Sequence, residues 1–389
     1  MTSCDHDFDT PIDRQFTDSI KWAKYQGRDI IPLWVADMDF PSPPAVKEAI
    51  RQRAQHPVYG YCQPSAKLKP LCCEWLANKY DWQVTEEALI FTPGLVPAIN
   101  IGCEAFTRPD EKVILQTPVY PKITAAPQRF GRDAITLPVK RIRGRWQMDF
   151  AALDEQLDQK AKLLILCSPH NPTGTVFTRQ ELTTLAQRVE GHDLIVISDE
   201  IHSDLILEPN VSHTPFATIS EAMKQRIVTL TGPGKAFNLA GLSCGVAVIE
   251  NPVLRQQFQA AQQGVMSGVN IFGFAAVEAA YQHGQPWLTA LLDYLRGNRD
   301  YLMQQCRELP GVVMHAPEAT YLAWIDISAL GLTDAVQYFE SYGIGVSGGE
   351  PFGNPGFIRL NFGCSRSLLE TAAARLTEAV HAAYAAARG

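Results

Sequence analysis

Short, uniformly apolar runs dominate the first two thirds of the chain, and they restrict its fold more than any other feature. Ala88-Leu89-Ile90-Phe91, Lys112-Val113-Ile114-Leu115, Lys162–Leu166 and Asp193–Ile197 recur between helical patterns, followed by Arg226–Leu230 and Gly245–Ile249. Strands that are apolar on nearly every position suit a sheet covered on both faces, as mostly parallel sheets are. Their alternation with helices from about Ser65 to about Gln285 predicts an α/β fold. One intervening helix is expected over Thr178–Val189, with Thr178 as N-cap and Glu181 closing a capping box. Another opens at Pro43-Pro44 and runs through Arg53, since proline suits a first turn.

The two ends have a different character. Residues 1–30 read as a polar arm ending in Lys21-Trp22-Ala23-Lys24-Tyr25, and Ile30–Pro41 is apolar but too interrupted by proline for a helix. A long helical pattern, Trp287–Leu309, leads into a C-terminal part with strand patterns at 323–327 and 357–362 and a final helix from Ser367. At 389 residues the chain exceeds one simple core. We therefore expect an arm with part of a small domain at 1–48, a large domain at 49–285, and a linker helix with a C-terminal small domain at 286–389.

A net charge of −7 without a long basic run argues against nucleic acid or an anionic membrane surface as partner. The start carries acids and no apolar h-region, and no apolar run has the length of a bilayer span. Nine scattered cysteines without C-x-x-C read as free thiols in a reducing cytoplasm, with no support for a metal site.

Chemistry-bearing residues gather just past the strands, where ligands of open α/β sheets bind. Lys235 lies in Thr231-Gly232-Pro233-Gly234-Lys235 after the strand ending at Leu230. Lysine forms Schiff bases with carbonyl compounds, and partial desolvation makes its amine nucleophilic. A P-loop is excluded, because it needs glycine where Thr229 stands and Ser or Thr where Ala236 stands. For an arbitrary Gly-Lys pair a solvated loop lysine is the ordinary reading, so the case for Lys235 rests on its companions.

Gly94-Leu95-Val96 after Phe91 offers backbone N–H groups and a helix start to a phosphate, although taken alone a plain turn is the more ordinary reading. Tyr120, between Pro118 and Pro121, makes a rigid face for stacking on an aromatic ring; a core tyrosine is the alternative. Asn171 in Ser168-Pro169-His170-Asn171-Pro172-Thr173-Gly174 can donate its amide to a phenolate oxygen. Asp199, ending an apolar strand, is costly to bury unless it faces a cation such as a protonated pyridine nitrogen, or else it caps the next helix. Gly94, Tyr120, Asn171, Asp199 and Lys235 together match every handle of pyridoxal phosphate: phosphate, ring face, 3-oxygen, ring nitrogen and aldehyde. Arg359, in Phe357-Ile358-Arg359-Leu360-Asn361, supplies a fork for an α-carboxylate.

With these motifs the chain resembles the fold-type I pyridoxal-phosphate enzymes of the aminotransferase superfamily, and within them the MalY/PatB-type cystathionine β-lyases. The resemblance also rests on Pro32–Phe40, Tyr59-Gly60-Tyr61, Ser198-Asp199-Glu200-Ile201-His202 and Lys235-Ala236-Phe237-Asn238, and spans about Phe8 to about Ala383. It implies a mostly parallel seven-stranded sheet in the large domain, a smaller α+β C-terminal domain, and a homodimer with active sites at the subunit boundary. Tyr61 would then reach the partner's cofactor phosphate, Ala36 and Asp37 would line the substrate pocket with Asn171, and His202 would support the cofactor. Relatives usually carry serine immediately before the lysine, where this chain has Gly234, so the phosphate cup leans on Thr231, Tyr61 and the Gly94–Val96 backbone.

The implied reaction is β-elimination from cystathionine or a related cysteine S-conjugate, giving pyruvate, ammonia and a thiol (homocysteine from cystathionine). Lys235, Tyr61 and Tyr120 are its candidate catalytic residues. Transamination of an L-amino acid on the same scaffold is one alternative. A regulatory role with a protein partner is another.

Overall fold

The computed structural model describes residues 6–388. Its strands are β1 (Ile31–Pro32), β2 (Leu89–Thr92), β3 (Lys112–Thr117), β4 (Asp133–Ile142), β5 (Arg145–Met148), β6 (Ala161–Cys167) and β7 (Ile195–Asp199). They continue with β8 (Ile227–Thr231), β9 (Gly245–Val248), β10 (Val313–Met314), β11 (Leu322–Asp326), β12 (Ile344–Gly345), β13 (Ser347–Gly348) and β14 (Phe357–Asn361). The large sheet has the order β2-β9-β8-β7-β6-β3-β4-β5. Its centre, from β8 to β4, is parallel, while β9 runs against both of its neighbours and β5 folds back on β4.

Both faces of this sheet are buried, as the apolar runs require. Leu164, Leu166, Val196 and Ile227 enter one core, whereas Leu163, Ile165, Ile197 and Val228 enter another on the opposite face. Gly102, in the helix Leu95–Phe106, lets that helix lie directly on the sheet, since a Cβ there would stand 2.3 Å from the Ile197 side chain. The helix at Arg179–Gly191 carries the expected capping box between Thr178 and Glu181.

Eight strands stand where seven were implied. β4 and β5 escape a search for continuous apolar runs because β4 alternates: Ile135, Leu137 and Val139 are buried while Asp133, Lys140 and Arg141 are not. The second half of β4 pairs with the whole of β5 beyond the end of β3, and one side faces water.

The smaller antiparallel sheet has the order β10-β11-β14-β13, and the helices Gln285–Arg307 and Arg366–Ala386 share its core. The N-terminal segment belongs to this end of the molecule, because β1 pairs in parallel with β12. The arm is not simply polar. Phe8 and Tyr25 are buried, and Lys21 is fully buried, its ammonium 2.7 Å from an Asp39 carboxylate oxygen. Asp39 also accepts from Arg14 at 2.6 Å and from the Trp22 indole at 2.9 Å. A buried charge is tolerated only with such partners. Among the described residues no helix is long and apolar enough to cross a membrane.

Lys21→Met should therefore destabilise the fold by about 3 kcal/mol, the cost of stranding one member of a buried pair. A thermal midpoint equal to the parent's would mean that Arg14 alone neutralises Asp39.

Candidate active site

Register along the large sheet brings the candidate residues to one edge. Cys167 ends β6 beside Asp199 of β7, Asp199 is level with Leu230 of β8, and Thr231 lies opposite Val246 of β9. At the far strand, Thr92 of β2 meets Gly245. The loops leaving these ends, the Trp34–Ala36 segment and β14 enclose a cavity of about 830 Å³. Gly94, Leu95, Val96, Tyr120, Asn171, Asp199, His202, Lys235, Arg359 and Ala36 all line it.

Lys235 sits in a turn closed by Phe237 N–H to Pro233 O and Leu239 N–H to Gly234 O. Its ammonium donates to the Ala36 carbonyl at 2.6 Å. Burial lowers the amine to about 8, with the Arg359 charge adding to the effect and Asp37 and Asp199 opposing it. An amine poised near neutrality can act as nucleophile and as base.

Arg359 is buried on β14 and touches only neutral acceptors: Asn171 Oδ1 at 2.9 Å and the Trp34 carbonyl at 3.0 Å. Its Nε is buried without a partner, and its guanidinium stands 4.8 Å from the Phe352 ring centre. Burial lowers it to about 10. Among the described residues no carboxylate pairs with it, so a buried cation faces the cavity in need of an anion.

Asp199 is the complementary case. It is buried, makes no ion pair among the described residues, and accepts one backbone N–H from Ile201 at 3.2 Å. Burial raises it to about 6. The His202 imidazole, also buried, is lowered to about 3 by desolvation and is therefore neutral, with Nδ1 unpartnered. Tyr120 is the N-cap residue of the helix Pro121–Arg129, and burial raises its phenol.

Three candidates stand elsewhere. Asp37 lies behind the wall, its carboxylate held by Arg14 at 2.8 Å. Thr231 is buried at the end of β8 and does not line the cavity. Tyr61 is fully exposed and away from the cavity of its own chain. Conversely, Trp34 and Val35 line the cavity and Tyr321 donates to Ala36 O at 2.8 Å, none of them singled out by sequence. Trp34 lies within the Pro32–Phe40 motif; Tyr321 carries no local signal.

These residues fit pyridoxal phosphate. The helix Leu95–Phe106 starts at Gly94, which has φ 110° and no side-chain cap, so its first N–H groups are available to an anion. The oxygen of Asn171 is taken by Arg359, and its amide nitrogen keeps no protein acceptor among the described residues. Asp199 needs a proton or a cation against it.

Residues 28–376 match the family model described as aminotransferase class I and II. The chain belongs to the class I and II aminotransferase family. Among curated members, cystathionine beta-lyase PatB of Bacillus subtilis is 38% identical, the match covering 96% of this chain and 99% of that one. Protein MalY of Escherichia coli is 30% identical over 97% of this chain and 99% of its own length. Among solved structures, OvoB superposes with a TM-score of 0.94 at 45% identity, covering 96% of this chain and 99% of that one. Cystalysin from Treponema denticola, which contains pyridoxal 5′-phosphate, gives 0.93 at 31% identity, covering 97% and 99%. The Lys235, Asp199 and Arg359 arrangement of this family member thus sits in a fold that holds the same cofactor elsewhere.

A raised carboxyl weakens the folded chain when it ionises. The unfolded Asp199 loses its proton near 3.8 and the folded one near about 6, so the burden is absent below the lower value and complete above the higher. Asp199→Asn should stabilise the cofactor-free chain at pH 8 by up to about 3 kcal/mol, since each tenfold change in proton affinity is worth about 1.4 kcal/mol. Thermal midpoints measured against pH should show this gain fading as pH falls from about 6 towards 4; a gain independent of pH would refute the assignment.

Proposed function

We propose that the chain is a pyridoxal-phosphate-dependent carbon–sulfur β-lyase acting on cystathionine or a related cysteine S-conjugate. The observation that carries this reading is the buried Arg359, which has no carboxylate partner among the described residues, in the same cavity as Lys235 and Asp199. The names of the relatives, cystathionine beta-lyase and C-S lyase, support the leaving group.

Arg359 binds the α-carboxylate of the substrate and fixes which bonds of the α-carbon face Lys235. When bound, pyridoxal phosphate supplies an electron sink for the charge left at that carbon. With the cofactor in place, Asp199 would keep a proton at the ring nitrogen and Asn171 would offer its free amide to the 3-oxygen. Tyr120 would offer its face to the ring, and the Leu95 and Val96 N–H groups at the helix start would hold the phosphate, without Thr231, which does not line the cavity. Lys235 takes the α-proton, and the β-carbon–sulfur bond breaks with its electron pair leaving on sulfur. With one water, the thioether becomes thiol, pyruvate and ammonia.

The working unit in this reading is a homodimer in which Tyr61 completes the partner's phosphate site. Its full exposure supports this, since a tyrosine this bare within a stretch containing exposed Val58 and Tyr59 suits a covered surface. Transamination is the competing outcome, since solved relatives include an aminotransferase named as putative. Pyruvate and thiol from cystathionine without added keto acid favour lyase; dependence on a keto acid favours transamination.

Lys235→Ala should lower pyruvate release by about 10³-fold or more; release at the parent rate would reject the reading. Mixing inactive Lys235→Ala with Tyr61→Ala protomers should restore activity through hybrids holding one intact site. No restoration after subunit exchange would mean that each chain works alone.

A further inference from the structure

The Ala36 carbonyl accepts two hydrogen bonds at once, from Lys235 Nζ at 2.6 Å and from the Tyr321 hydroxyl at 2.8 Å. We propose that Tyr321 is a positioning residue that shares this carbonyl with Lys235 and so sets how firmly the lysine keeps its proton. The inference rests on the proposed function only in taking Lys235 as the reactive amine.

Several features hold this arrangement in place. Tyr321 is fully buried, its ring edge-on to His202 at 6.4 Å between centres. The preceding Thr320 is fully buried with φ 75°, a conformation rare for a β-branched residue. Such a backbone persists only where its surroundings over-determine it. Here Thr320 N–H donates to Leu205 O at 2.9 Å, Thr320 Oγ1 accepts from Leu322 N–H at 3.1 Å, and Tyr321 O accepts from Phe362 N–H at 2.9 Å. The turn therefore aims the phenol at Ala36 at the expense of a relaxed backbone.

The segment that carries this carbonyl is tied down by Asn238, three residues past the lysine. Its side chain accepts from Met38 N–H at 3.0 Å and donates to Met38 O and Phe40 O, each at 2.9 Å. One residue thus clamps the lysine turn to the segment that carries the lysine's acceptor. Asn238 has φ 56°, where asparagine is tolerated and glycine is unstrained.

The consequences for proton affinity have opposite signs. The charged ammonium gains more from the carbonyl than the neutral amine does, so losing the acceptor favours the neutral form. A second donor draws on the same oxygen and weakens its hold on the ammonium. The other ionisable groups facing Lys235 are Arg359 from β14, Asp199 at the end of β7, Asp37 from the arm, paired with Arg14, and the neutral His202. Both Tyr321→Phe and Asn238→Gly leave these side chains in place.

The test is competitive acetylation of the cofactor-free, full-length chain across a pH series, with the Lys235 peptide read by mass spectrometry. Tyr321→Phe should move the Lys235 titration upward by a few tenths of a pH unit, because the carbonyl then serves the lysine alone. Asn238→Gly should move it downward by about one pH unit, the loss of one charge-assisted bond. Shifts of the same sign, or no shift in either variant, would overturn the proposal. If Asn238→Gly does not fold, Tyr321→Phe decides alone: an upward shift supports it and an unmoved titration rejects it. In the loaded enzyme the same displacements should appear in the pH profile of kcat. Failure of the parent to cleave any thioether would sink the lyase reading and leave the acetylation result standing.

Discussion

A buried guanidinium that faces the cavity with two neutral oxygens and, among the described residues, no carboxylate is the constraint from which the rest of the site follows. Arg359 holds its position because β14 is the central partner of β11 and β13, and because Asn171 and the Trp34 carbonyl bind two of its nitrogens. Burying a charge without a counter-ion is unfavourable, and the cost is recovered only when an anion enters. The same logic applies with opposite sign to Asp199, a carboxyl raised by burial across the cavity. The cavity is thus built with an acid and a base that lack ion-pair partners among the described residues, and a zwitterionic ligand system satisfies both.

The fold keeps these charges apart and in register. Asp199 rides on the large parallel sheet, whose two cores leave its strand ends no freedom to shift. Arg359 rides on the smaller sheet, joined to the N-terminal segment through β1 and β12 and through Asn361, whose amide donates to Val35 O and Asp37 O. Lys235 lies between them, tied to the same segment through Ala36. The 34–40 segment therefore joins the smaller sheet to the turn that carries the reactive amine, and the Lys21–Asp39 pair ties it to the arm.

Much of this was legible in the sequence because the chemistry follows the strands. A fully apolar strand must be central, and a polar residue directly after it must lie at the sheet's edge, so Asn171, Asp199 and Lys235 could be placed together without coordinates. β4 and β5 were missed since a half-exposed hairpin alternates instead of running apolar. The burial of Lys21 was hidden because its partner, Asp39, lies 18 residues away and only tertiary packing joins them. Tyr321 was hidden for a related reason: its aim depends on a left-handed Thr320, which no residue preference announces. Asp37 was expected in the pocket, yet Arg14 draws its carboxylate behind the wall.

The most direct test of the central claim is where the cofactor is attached. Purified protein loaded with pyridoxal phosphate, reduced with borohydride and digested, should carry the pyridoxyl mass on the peptide containing Lys235, and Arg359→Met should leave that attachment intact while abolishing the spectral response to amino acids. Labelling of Lys24 or Lys122 at the cavity wall in place of Lys235, or an undiminished amino-acid response without Arg359, would contradict the account.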